Sequence, residues 1–253
     1  MSWALFVDRD YSSMSERAAG LVCRLISSLG RTRVLALPTG QTPQALYARF
    51  PVAAQRLGID MSRMRFVNLD EYVGIRQDDP CSFAHYLRLR FFSPHHIAEA
   101  HYRLLDGMAA DLVMECRLHE EWIDHAGGLG LAILGIGENG HIAFNEPGTD
   151  PRRRTHVTQL EMQTRKNMEC DRAIASRPTR GLTVGVSTLL EARHIVILAS
   201  GAAKTQALSK AFLEPPSAEC PASFLQEHDS VHVIADCDAV PEASALRARL
   251  HHV

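Results

Sequence analysis

Asp70 and Glu71 stand side by side in Asn68-Leu69-Asp70-Glu71-Tyr72, directly after an apolar run over residues 65–69. Adjacent carboxylates in an apolar setting suit acid–base work, because burial and like-charge proximity raise the pKa of one of them. The alternative, equally open on the sequence, has one carboxylate capping the next helix. The densest constellation lies further on, in Gly135-Ile136-Gly137-Glu138-Asn139-Gly140-His141-Ile142-Ala143-Phe144-Asn145-Glu146-Pro147. Gly135, Gly137 and Gly140 shape a tight loop that can bring backbone amides beside a ligand. Histidine, the residue type at 141, is suited to moving protons at neutral pH. Glu146 is close enough in sequence to fix one imidazole nitrogen, leaving the other to accept a proton. The glycine spacing matches the dinucleotide fingerprint numerically, but Pro147 forbids the usual long crossover helix. Nor does the loop follow the first strand, where a dinucleotide fold carries it.

Two further segments could hold an anion. Leu37-Pro38-Thr39-Gly40-Gln41-Thr42-Pro43 joins an apolar run to a helical one. Backbone N–H groups at a helix start, together with a threonine hydroxyl, can bind phosphate oxygens. The segment lacks the spacing and the lysine of a P-loop, and a plain turn with Thr39 or Thr42 as N-cap explains it as well. Ser200-Gly201-Ala202-Ala203-Lys204 puts a lysine in the first turn of a helix, where it opposes the macrodipole. A phosphate would offset that cost, as would a lysine turned to water.

Apolar runs of strand length at 34–37, 65–69, 129–134, 182–186, 194–199 and 231–235 alternate with helical patterns at 14–29, 82–91, 109–126, 186–191 and 204–212, and a helix start at 44–50. This order predicts an α/β fold, a three-layer, Rossmann-like, doubly wound and mainly parallel sheet with helices on both faces. In such sheets ligands gather at the carboxyl ends of strands, and each motif above follows a strand. The segment 145–182 is polar, basic and without a clean period, which fits either a lid or a solvated insertion. The whole of 1–253 reads as one domain.

Net charge is -2, so no broad attraction to nucleic acid or anionic membrane is expected. No apolar run reaches the ~18–20 residues of a membrane span. The N-terminus has no basic stretch before its short apolar patch, unlike a secretory signal. The cysteines at 23, 81, 116, 170, 220 and 237 are scattered and lack a Cys-x-x-Cys pair, which signals neither a zinc site nor a disulfide framework. A cytoplasmic, soluble protein with free thiols is the expectation. The sequence leaves no pattern that fixes oligomeric state, and a homo-oligomer is compatible with it.

At these segments the chain resembles the glucosamine-6-phosphate deaminase/isomerase family, including its galactosamine-6-phosphate deaminase branch. LPTGQTP is similar to the family's phosphate loop, NLDEYVG to its NLDEY box, GIGENGHIAFNEPG to its signature, and SGAAKTQAL to its late lysine loop. PASFLQEH resembles its C-terminal segment. The resemblance implies a cofactor-free, metal-free enzyme that acts on a hexosamine 6-phosphate. Asp70 would take the C2 proton and return it at C1. His141 would accept the proton that opens the pyranose ring, positioned by Glu146 and Asn139. Thr39, Gly40, Thr42 and Lys204 would bind the phosphate, with Glu71, Gly135, Gly137 and Gly140 completing the substrate-facing set. An enolamine would then lose ammonia, giving a ketohexose 6-phosphate. Glucosamine is favoured over galactosamine by the NLDEYVG and HIAFNEP matches.

The chain departs from the family pattern at three points. Asn139 stands where some members carry Asp and cannot shuttle a proton. The region aligned with the phosphate arginine of some members reads Asn167-Met168-Glu169-Cys170, so Arg180 is the expected substitute. His156 and Thr158 stand where some bacterial members use basic residues for an allosteric amino sugar, so no such activation is expected. Two other readings are weaker. A 6-phosphogluconolactonase usually has Asp-Gly-His before Ala-Ser-Leu-Phe-Pro, which is not found here. A sugar-phosphate sensor would normally carry a helix-turn-helix segment, for which the sequence ahead of the first strand and helix leaves no room.

Overall fold

The computed structural model describes residues 3–30, 34–168 and 176–249; Glu169 and Cys170 lie outside the described residues. Ten strands are present among them: β1 (Trp3–Asp8), β2 (Val34–Leu37), β3 (Arg65–Asn68), β4 (Asp70–Tyr72), β5 (Tyr102–Arg103), β6 (Leu129–Gly135), β7 (His156–Gln159), β8 (Arg180–Thr183), β9 (His194–Ala199) and β10 (Val231–Asp236). Seven of them form one sheet in the order β1-β10-β9-β6-β2-β3-β5, with every pairing parallel.

Its central strands are buried on both faces, which explains why they read as unbroken apolar runs rather than alternating ones. Leu35, Leu37, Leu131, Ile133, Val196 and Leu198 point into one layer. That layer is closed by α1 (Tyr11–Ser28) and α2 (Gln44–Arg56). Val34, Ala36, Ala132, Leu134, Ile195 and Ile197 point into the other, against α4 (Leu112–His125), α6 (Val186–Leu190) and α7 (Thr205–Leu213). Each buried Leu or Ile contributes roughly 1.5–3 kcal/mol by leaving water, so this double layer is a stiff base for the loops above it.

Local chemistry sets the helix limits. Asp10 caps α1 by accepting from Ser13 N–H at 2.8 Å, so the helix starts three residues before the apolar spacing suggests. Asp111 caps α4 in the same way through Val113 and Met114. The predicted helix over 82–91 is a short α-helix, α3 (Phe83–Leu87), that widens into one π-helical turn over residues 88–92.

The strand expected over 182–186 lies at Arg180–Thr183 and is absent from the main sheet. It pairs antiparallel with β4 on one side and β7 on the other, in a separate three-stranded sheet. The pairing sets Asp70 opposite Thr183, and His156 opposite Thr183 from the other side. The chain builds β2, β3 and β5 in one direction across the main sheet, then crosses back to add β6, β9 and β10. The reversal falls between β2 and β6, and loops leaving the carboxyl ends of those two strands diverge there to open a crevice.

Candidate active site

The crevice holds a cavity of about 480 Å³, lined by the ends of β2, β6 and β9, by Leu69 and Asp70, and by Gln163, Thr164 and Asn167. That volume suits a small organic ligand. Asp70 is placed by its neighbours' backbone. Asn68 Nδ2 donates to the Asp70 carbonyl at 2.7 Å, while Asn68 Oδ1 accepts from Leu105 N–H at 2.9 Å. Val184 N–H bonds the Leu69 carbonyl at 2.7 Å. The Asp70 side chain is buried and its Oδ1 has no hydrogen-bond partner. Burial first, and the neighbouring Glu71 charge second, push its carboxyl well above the ordinary aspartate range.

Across the cavity, the loop after β6 folds back through Gly140 N–H to Gly137 O at 3.0 Å and Gly137 N–H to His141 O at 2.9 Å. The turn lays the His141 ring directly over Gly137, where a Cβ would sit 2.4–2.6 Å from three ring atoms. Glu146 Oε2 lies 3.4 Å from His141 Nδ1, an ion-pair distance without an aligned hydrogen bond, and accepts from Asn139 Nδ2 at 3.1 Å. Burial raises the Glu146 carboxyl, but the opposing effects of His141, Thr164 and Asn139 outweigh it and hold it below the usual glutamate range. Ala143 stands at φ 49°, a left-handed conformation that stores roughly 1–2 kcal/mol of strain in this loop. Thr183, opposite Asp70, accepts from Phe144 N–H at 3.1 Å and so ties the two halves together.

At the end of β2, Thr39, Gly40 and Thr42 line the same cavity. Neither threonine caps α2, which has no side-chain N-cap. Instead the Tyr11 hydroxyl accepts from Ala45 N–H at 3.1 Å and is within reach of the Gln41 and Thr42 carbonyls. Beyond β9, Asp236 grips the next loop: it accepts from the Ser200 hydroxyl, and from Gly201 N–H at 3.0 Å and Ala239 N–H at 2.9 Å. This loop delivers Lys204 to the cavity. Burial lowers the pKa of its ammonium, and the Glu138 carboxylate works against that shift. Lys204 thus lines the same cavity as Thr39, Gly40 and Thr42.

Three expectations are corrected. Glu71 faces away from the cavity, fully buried, and its carboxylate is consumed by four donors: Tyr72 N–H at 2.8 Å, Phe83 N–H at 3.1 Å, Ala84 N–H at 2.9 Å and the Ser82 hydroxyl at 2.7 Å. It is the carboxylate that caps a helix, α3. Gly140 does not line the cavity; at φ 86° it backs onto Cys220, whose Sγ would lie 2.5 Å from an added Cβ. Arg180 is exposed and outside the lining, because it lies three residues along β8 from Thr183, about 10 Å at strand rise. Gly135 and Gly137 line the cavity as expected of them. Sequence reasoning missed Tyr11, Thr164 and Asp236. Only Asp236 had a local signal, a carboxylate ending an apolar strand.

Because Glu71 is structural, Glu71→Gln is expected to cost about 2–4 kcal/mol of stability, by setting an amide N–H₂ against buried donors. Urea unfolding measures it, and an unchanged midpoint would return Glu71 to the cavity. Among the described residues, no group of three or more His, Cys, Asp or Glu side chains could hold a metal ion, and no helix is long and apolar enough to cross a membrane.

Residues 9–234 match the family described as glucosamine-6-phosphate isomerases/6-phosphogluconolactonase. The chain belongs to this family. The glucosamine-6-phosphate deaminase of Shouchella clausii is 39% identical over 232 residues, covering 91% of this chain and 94% of that one. Glucosamine-6-phosphate deaminase 1 of Bacillus subtilis is 38% identical over 230 residues, 90% of this chain and 95% of that one. The solved structure of a monomeric glucosamine-6-phosphate deaminase of the NagB superfamily superposes with a TM-score of 0.87 at 37% identity, covering 93% of this chain and 98% of the other. The 6-phosphogluconolactonase of Trypanosoma brucei, at 18% identity and a TM-score of 0.76 over 95% of this chain and 98% of its own, shares the fold of the family. The family spans both chemistries, so the site's own geometry has to choose between them.

Proposed function

We propose that this protein opens the ring of glucosamine 6-phosphate, isomerises it and releases its nitrogen, giving fructose 6-phosphate and ammonia. The observation that carries this reading is the buried, unpartnered Asp70 carboxyl facing the same cavity as a His141 that is backed by Glu146 and Asn139. Lactone hydrolysis has no need of a second buried base at that position. The likeness to glucosamine-6-phosphate deaminases over most of the chain supports the same choice.

In this mechanism the phosphate is held by Thr39, Gly40, Thr42 and Lys204. His141 moves the proton of the anomeric hydroxyl to the ring oxygen, and the ring opens to the aldehyde. Asp70 then removes the C2 proton while O1 takes a proton from the C2 aminium, leaving an enolamine, and Asp70 returns its proton at C1. The resulting C2 imine adds one water and expels ammonia, which leaves the ketone. Holding the phosphate at one end and the base at the other supplies much of the rate through orientation. The residues do all of this with proton transfers alone, so activity is expected to persist in EDTA, in a cytoplasmic setting.

The deciding assay is ammonia release from glucosamine 6-phosphate and galactosamine 6-phosphate side by side, with EDTA present. Release from the glucosamine substrate alone fits the proposal. Release from galactosamine alone moves the preference at C4, and silence with both from folded protein sinks the reading. Lys204→Ala is expected to raise KM about 10–100-fold, the worth of one charge-assisted hydrogen bond to phosphate. Arg180→Ala should leave KM unchanged, and a comparable rise there would restore Arg180 as a phosphate ligand.

A further inference from the structure

Glu146 divides its carboxylate between two parts of the chain. Oε2 accepts from Asn139 and faces His141, both on the loop after β6. Oε1 accepts from the Thr164 hydroxyl at 2.5 Å and, at 3.4 Å, from the Glu161 backbone N–H. These donors belong to the segment after β7 that includes the single-turn helix α5 (Met162–Lys166). Glu146 is 4% exposed and Thr164 is 7% exposed, so water offers neither an easy substitute partner. A carboxylate held at one oxygen turns freely about its last torsion, which is broad. Held at both, it presents one fixed plane, and charge-assisted hydrogen bonds are the strong ones that can impose it.

We propose that Thr164 is a positioning residue: its hydroxyl, seated on Glu146, fixes the carboxylate plane that orients His141, so that ring opening requires the 161–168 segment to be folded against the cavity. The catalytic part of this inference rests on the hexosamine-phosphate reading above; the contact itself does not. Gln163 and Asn167 of the same segment line the cavity on either side of Thr164 in sequence. A ligand that touches them steadies the segment, and through one hydroxyl it also steadies the imidazole. Substrate binding and readiness of the base are thereby coupled without any contact between the ligand and Glu146.

A threonine at this position could also serve only to fill space, and two variants separate the roles. Thr164→Val keeps the shape and removes the hydroxyl; Thr164→Ser keeps the hydroxyl and removes the methyl group. Thr164→Val is expected to lower kcat for glucosamine 6-phosphate about 10-fold, the size of one charge-assisted hydrogen bond, with KM little changed. Thr164→Ser should keep most of the wild-type kcat. Wild-type kcat in Thr164→Val, or equal losses in both variants, overturns the proposal. A second readout needs no turnover: the side-chain carboxyl ¹³C resonance of Glu146 should move in Thr164→Val and return in Thr164→Ser, and a resonance unmoved in Thr164→Val also overturns it. If the wild-type protein releases ammonia from neither hexosamine phosphate, the functional reading falls, and the resonance alone decides the role of Thr164.

Discussion

Asp70→Asn abolishes exchange of the C2 proton with solvent and removes ammonia release by about 10²–10⁴-fold, the usual contribution of a positioned general base, while the folded protein becomes more stable at neutral pH. Both halves of this expected result have one cause. The Asp70 carboxyl is buried, its Oδ1 has no hydrogen-bond partner, and Glu71 adds a second negative charge beside it. The folded state therefore holds the Asp70 proton more tightly than the unfolded chain does. Stability from this group is fully present below the ordinary aspartate pKa, near pH 4, and is lost as pH rises through the elevated folded value. Asparagine has no proton to lose, so the Tm advantage of the variant should widen as pH rises from the ordinary aspartate value through the elevated folded one. Deuterium incorporation from D₂O and thermal melts across that range check the two halves. Persistent exchange would remove Asp70 as the base, and a variant melting below wild type at every pH would mean that the carboxylate is satisfied in solution. The raised pKa also fits the substrate, since an aminium at C2 would bring a positive charge next to the Asp70 carboxyl.

The second large effect comes from a single methyl group. Gly137→Ala is expected to lower kcat about 100-fold, since displacements of about 1 Å at a reacting group can cost that much. The backbone does not forbid alanine there, because Gly137 is not among the glycines with positive φ. The obstacle is the His141 side chain, which would lie 2.4–2.6 Å from the new Cβ and is only partly buried, so the ring rather than the backbone is expected to give. The fold should therefore survive while the imidazole leaves Glu146. Gly140→Ala is the control: with φ 86° and Cys220 Sγ 2.5 Å from the new Cβ, it should lose stability instead. Steady-state kinetics paired with urea unfolding separates the two, and full activity in Gly137→Ala would show that His141 does not need that seat.

The main sheet was legible because its central strands carry unbroken apolar runs such as VLAL and IVILA, as strands covered on both faces do. The cavity-lining loops were legible for a related reason: each chemical motif begins where such a run stops. The small antiparallel sheet was not, since β7 reads HVTQ and is mostly half-buried, without a clean period. The two fates of Asp70 and Glu71 could not be separated either. What decides them is Ser82 and the start of α3, eleven and more residues away. Gly140 against Cys220 and Tyr11 against the loop after β2 are likewise long-range contacts with no local pattern. Arg180 was misjudged because its register along β8 depends on pairings with β4 and β7 that the sequence does not display.

That small sheet has a consequence for how such a chain can change. The backbone leaves the ladder at Gln159 and rejoins it at Arg180, which are partners on one rung, while Asp70 is anchored three residues further along, opposite Thr183. The stretch of chain between these two residues therefore starts and ends on paired strands. Lengthening it costs little more than loop closure, about 0.6 kcal/mol per doubling, and leaves the base where it was. Changes of length there need not move Asp70, so the base and that stretch of chain are free to diverge at different rates.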